Sequence, residues 1–278
     1  MMRPHPNRAA LDAVTTLARP APFNRVVVGI DFSPASLAGC RWALAHVAPG
    51  ADALLAHVSL PDAPPSLSGG LDGFAATLDV AHARTAVRAG RPSDWLGTLA
   101  EEFDAALIAV GRRQDANRKR IGEANVVARL ARRTRASVLV VPEGVVDAPS
   151  CVVAAIDDGP GSGEVIHLAA TLADGMSQPL LVLHVLQPMT GAYDRVVHTR
   201  RHDITMAARG AVESVHGRLT LAVGDPAREI VAAGVARGGG LLVVGKRGAD
   251  ESPVGSLGSV ARELLAKSPL PVLAIDVP

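Results

Sequence analysis

Aromatic side chains make up only 3% of this 278-residue chain. So few rings leave few platforms on which successive bases could stack, which disfavours single-stranded nucleic-acid binding. A charge excess of either sign is missing as well: 28 Lys and Arg stand against 27 Asp and Glu, a formal net charge of +1. Nothing global therefore steers the chain toward nucleic acid or a membrane surface. No apolar run approaches the length of a bilayer span, so no membrane segment is expected. There are two cysteines, Cys40 and Cys151. They form no spacing pattern and read as buried free thiols of a reducing cytoplasm, not as a disulfide framework. A Gly-x-Ser-x-Gly elbow, a zincin motif and a lysine-bearing Walker A sequence are all absent, which leaves no catalytic residue to name. Residues 1–22 carry basic side chains and one acid, Asp12, without the continuous apolar core of a signal peptide. They read as an extension, either disordered or a short amphipathic helix over residues 8–17.

What the chain does have is apolar residues, 48% of the total, enough to bury two cores. It also repeats itself. Val26-Val27-Val28-Gly29-Ile30-Asp31 matches Val152-Val153-Ala154-Ala155-Ile156-Asp157, in each case an apolar strand ending in an acid. His57 and His184 close matching second strands, Gly90 matches Gly224, residues 106–111 match 240–245, and residues 137–142 match 271–275. Five blocks in the same order amount to a duplicated domain. The offset is 126 at the acids and 134 at the glycines Gly111 and Gly245, which predicts a longer second helix in the second half. Nearly continuous apolar strands alternate with helix-length segments such as residues 36–47 and 92–103. This pattern predicts two α/β, Rossmann-like domains, each a five-stranded parallel sheet of order 3-2-1-4-5 with helices on both faces. The expected units are residues 23–144 and 150–278.

Chemistry concentrates in one place. Gly245-Lys246-Arg247-Gly248, nine further residues and then Gly258-Ser259 lie between the strand Leu241-Leu242-Val243-Val244 and a segment of helical apolar spacing from Val260. Gly258-Ser259 thus opens a helix whose unpaired N–H groups and positive dipole end suit an anion. Gly245 and Gly248 are expected to take φ > 0 and to admit oxygens that a Cβ would exclude. Lys246, Arg247 and Arg262 are the nearest cations, and at least one is expected to reach the anion. At the same offset the first half has Gly111, but Gln114, Ala124 and Asn125 in place of Gly248, Gly258 and Ser259, with Glu123 alongside. Side-chain volume and a carboxylate both oppose a bound polyphosphate there. The basic stretch 112–120 reads as a solvated loop or a grip for some other anion. His198 and His202 share a helix face at zinc-binding spacing, yet two arginines flank the pair and the usual glutamate is missing, so no metal site is expected.

These residues resemble a tandem universal stress protein, two such domains in one chain. The family's nucleotide motif, G-x-x-G, nine residues, G-[S/T], is satisfied by Gly245, Gly248, Gly258 and Ser259. What the resemblance implies is an ATP-binding stress or signalling protein of the cytoplasm, with ATP, and with it magnesium, held at Asp157, Val185, Gly245, Arg247, Gly248, Gly258, Ser259 and Val260. It further implies that the two halves pair through their last strands as an intrachain pseudo-dimer, with a homodimer of chains beyond that and an unnamed protein partner. Asp157-Asp158-Gly159-Pro160-Gly161-Ser162-Gly163 departs from the family's usual first loop, which Asp31-Phe32-Ser33-Pro34 follows more closely. Two other classes stay open, a nucleotide-free interaction scaffold and a slow ATPase or nucleotidyl-transfer enzyme.

Overall fold

The computed structural model describes residues 22–59, 67–78, 80, 82–113, 122–186, 212, 218–248 and 256–277. In the first half these form β1 (Arg25–Gly29), α1 (Pro34–Trp42), β2 (Asp52–Ser59), α2 (Leu67–Ala75), β3 (Ala83–Ala89), α3 (Pro92–Glu102), β4 (Leu107–Arg112), α4 (Gly122–Arg133) and β5 (Ser137–Pro142). The second half follows with β6 (Val152–Ile156), α5 (Ser162–Gly175), β7 (Leu180–Leu186), β8 (Arg218–Val223), α6 (Pro226–Val235), β9 (Leu241–Gly245), α7 (Ser259–Lys267) and β10 (Val272–Ile275). The predicted helix over 36–47 begins two residues earlier at Pro34, with Ser33 capping Ser36 N, and its last turn widens to π geometry over Ala43–Val47. Proline at the first helical position fits both α1 and α3, since its missing N–H has no intrahelical partner there.

One ten-stranded sheet runs through the molecule in the order β3-β2-β1-β4-β5-β10-β9-β6-β7-β8. Each half contributes the predicted order 3-2-1-4-5, and every pairing is parallel except that of β5 with β10. At that junction Leu273 faces Leu139 and Ala274 faces Val138. The two last strands cover each other's edges, so neither half ends in an open apolar strand.

The strands are apolar on both faces because both faces are buried. α1, α2 and α5 cover one side, where Val26, Val28, Leu55, Val152, Val182 and Leu273 point. α3, α4, α6 and α7 cover the other, over Val27, Leu54, Ile108, Val138, Val153 and Val272. Each layer is continuous across both halves. Cys40 and Cys151 are buried free thiols as expected, and burial pushes Cys40 up to about 12. The offset is 127 at His57 and His184 but 134 at Gly90 and Gly224. The insertion therefore falls between β7 and β8, in a stretch that, apart from Val212, lies outside the described residues. The extension 1–21, the rest of the basic loop at 114–120 and the pair His198 and His202 also lie outside them.

Candidate functional site

The acids that end β1 and β6 build the same turn. Asp31 Oδ1 accepts from Ser33 N at 2.9 Å, and Asp157 Oδ1 accepts from Gly159 N at 2.8 Å. Ser36 and Ser162, at matching positions, each bring a hydroxyl within 3.3 Å of the acid's own N. Despite its extra glycines and second acid, the loop 157–163 closes as an Asx turn like its counterpart. Burial pushes the Asp31 carboxyl up, but hydrogen bonds from Ser33 and Ser36, with help from Arg113, outweigh it and hold the group below its usual range.

In the second half the turn meets the glycine loop. A Cβ placed on Gly248 would stand 2.9 Å from Asp157 Oδ2. At Gly245, where β9 ends beside Ile275, a Cβ would lie 2.9 Å from Arg247 O. Gly258 N donates to Lys246 O at 2.8 Å and so closes the base of the loop. The motif's ends and the acid are thereby brought together. Sequence reasoning gave Gly245 and Gly248 a left-handed backbone, which the structure corrects. Among the described residues the glycines with positive φ are Gly50, Gly90, Gly144, Gly224, Gly238 and Gly239. Close approach of neighbouring atoms, not φ, is what favours glycine at 245 and 248, against a backbone oxygen at the first and a movable carboxylate at the second.

Gly258 is the N-cap of α7, with φ −55° and ψ 151°, and supplies no side-chain acceptor; the first turn carries no acid. By contrast Asp225 caps α6 through Arg228 N at 3.0 Å. The start of α7 thus keeps N–H groups that helix geometry leaves without an intrahelical acceptor. Ser259 is exposed there, and Val260 and Val185 are half-buried against the same core layer. Arg262 is exposed one turn along.

The two remaining cations each bond within the protein. Lys246 is buried, at 2% exposure, and its Nζ donates to Thr134 O and Ala136 O, each at 2.7 Å, in the first half. Those two bonds commit its ammonium to the first half. The pull comes from carbonyls of the turn between α4 and β5, more than 100 residues away in the chain, which local spacing could not reveal. Burial pushes Lys246 down to about 8, with Asp276 opposing and Arg247 reinforcing the shift. Arg247 lies 3.5 Å from Asp276 and donates to Val277 O.

Among the described residues the first half differs at the corresponding acid and glycine. Arg113, the counterpart of Arg247, reaches Asp31 Oδ2 at 3.4 Å instead. A Cβ on Gly111 would fall 2.1 Å from Ala35 O, so α1 presses directly on the end of β4. α4 begins at Gly122, three residues ahead of Asn125, the counterpart of Ser259. The Arg113 pairing escaped the sequence reading, although the offset of 134 that maps it to Arg247 was the signal that could have found it.

Among the described residues no helix is long and apolar enough to cross a membrane. No curated protein matches the sequence. Among solved structures, a universal stress protein from Archaeoglobus fulgidus DSM 4304 is 18% identical and superposes with a TM-score of 0.68, covering 91% of this chain and 98% of its own. A protein of unknown function from Pseudomonas aeruginosa PAO1 gives 0.67 at 15% identity, over 92% of this chain and 94% of its own. At these identities the likeness is one of fold. The universal stress protein family model matches twice, over residues 70–142 and 151–276. With both halves matched in tandem, the chain belongs to the universal stress protein family.

Proposed function

We propose that the chain is a nucleotide-dependent stress or signalling regulator that binds one ATP, in its second half, between the turn at Asp157 and the start of α7. The observation that carries this reading is the approach of Asp157 Oδ2 to within 2.9 Å of a Cβ position on Gly248, which joins acid, glycine loop and uncapped helix start in one place. In this reading the carboxylate of Asp157 holds the adenosine, Val185 and Val260 line its apolar side, and the N–H groups at Gly258, Ser259 and Val260 take the phosphates. Gly248 lets the Asp157 carboxylate come up against the loop. Arg247 is the loop's cation, and magnesium would accompany the phosphates. Residues 23–144 serve as the non-binding companion of residues 150–278.

Holding fits better than turnover. Lys246 is committed to carbonyls of the other half and does not stand in for a phosphate-gripping lysine. The test is titration calorimetry with ATP on the wild type and on Gly248→Gln, which copies Gln114. The wild type is expected to bind about one equivalent, the count for a single helix-start site. Gly248→Gln is expected to bind none while keeping its circular dichroism. Gln114→Gly should add no second site. Two equivalent sites, or full affinity in Gly248→Gln, would refute the reading.

A further inference from the structure

The residue that follows the glycine ending β9, and its counterpart in β4, each send a side chain into the opposite half. Arg112 donates to Ala266 O at 2.7 Å and to Ser268 O, at the end of α7. Lys246 donates to Thr134 O and Ala136 O, just past the end of α4. Thr134 and Ser268 match at the offset of 134, and each hydroxyl accepts from the N–H two residues on. Both ties place a basic group where helix carbonyls concentrate negative potential.

Their main chains are anchored as well. Arg112 O accepts from Glu143 N at 2.7 Å, in the segment that leaves β5. Lys246 N donates to Ile275 O at 2.7 Å, and Lys246 O accepts from Gly258 N, the cap of α7. A displacement of Lys246 is thus passed to Gly258 through a single hydrogen bond.

We propose that Lys246 is a positioning residue for the anion-binding loop 245–258, and that the first half supplies the anchor through the carbonyls of Thr134 and Ala136. The tie rests on geometry alone; its consequence for ATP rests on the function proposed above. The first half then contributes to the site of the second without binding a nucleotide itself. A lysine suits the task because its ammonium offers three donors, of which two are used here, on a stem long enough to cross between the halves.

The experiment compares the full-length wild type with K246M, K246R and R112M at neutral pH, by hydrogen exchange of the peptide spanning residues 245–262 without ligand and by calorimetry with ATP and with adenosine. K246M is expected to exchange about ten-fold faster in that peptide and to bind ATP about ten-fold more weakly, the share of two lost charged hydrogen bonds that reaches the loop through Gly258. Adenosine should lose less. K246R, the residue that does the same job at 112, should restore both readouts. R112M breaks the mirror tie and should leave the peptide's exchange and the ATP affinity within about two-fold of wild type, a change under half a kcal/mol. Unchanged exchange in K246M, or an equal effect in R112M, overturns the proposal. If K246M does not fold, K246Q takes its place under the same criteria. Failure of the wild type to bind ATP removes the nucleotide reading alone, and the exchange comparison still decides the tie.

Discussion

Gly111 and Gly248 are both glycines for lack of room, yet the atoms that crowd them differ in how far they can move. At Gly111 the obstacle is the backbone carbonyl of Ala35, fixed in the first turn of α1. Gly111→Ala is therefore expected to cost about 3 kcal/mol, read as a fall in urea midpoint. At Gly248 the obstacle is a carboxylate on an exposed turn, and Gly248→Ala should cost less than about 1 kcal/mol. Lys246 adds a pH dependence. Its ordinary value is 10.5 and its folded value about 8, so between the two the unfolded chain binds more protons. Stability should rise as pH increases through that window, by about 3 kcal/mol for this group, and the rise should vanish in Lys246→Met when denaturant midpoints are compared at pH 7.5 and 9.5. The glycine spacing and the acid were legible in the sequence because a motif is local. The partners of Lys246 were not, since Thr134 and Ala136 come beside it only once β5 and β10 pair.

At the scale of elements, α7 shares with α3 and α5 a start without the side-chain cap that α1 and α6 have. Ser33 and Asp225 each close a helix start with a side chain, whereas Gly258 leaves its own open. The backbone there is extended, and a Cβ would meet Lys246 O only at 3.4 Å, so an ordinary side chain fits. Gly258→Asp is expected to add about 0.5 kcal/mol through capping and a less flexible unfolded chain, about 1 °C in Tm, while abolishing ATP binding. Calorimetry and a thermal melt on one sample check both outcomes. A variant that gains stability and keeps its affinity would show that the helix start is not where phosphate goes. The strands were readable because burial on both faces makes them continuous apolar runs. The earlier start of α4 was not, because the apolar spacing at Val126, Val127 and Leu130 shows that a helix exists and leaves its first residue open.

The whole molecule should behave as one cooperative unit. Both core layers cross from one half to the other, and the sheet is unbroken at β5 and β10. Both tryptophans, Trp42 and Trp95, sit in the first half, so fluorescence reports on that half while far-ultraviolet circular dichroism reports on the two together. Denaturant curves from the two probes are expected to coincide, and separate midpoints would mean that the halves unfold independently. The repeat in the sequence revealed two domains and their strand order. That they share one core follows from the pairing of their last strands.

The antiparallel contact between β5 and β10 also gives the molecule a sidedness. Parallel strands in the two halves run in opposite directions, so their carboxyl ends open on opposite rims of the sheet. One rim carries Asp157, Gly245, Gly248 and the start of α7, and the other carries Asp31, Gly111 and the start of α4. On the proposed function, a macromolecule that senses occupancy must approach from a single rim, and two chains that met through equivalent rims would either bury both proposed sites or display both. Fusing the halves has turned a symmetric pair into an object with a front and a back.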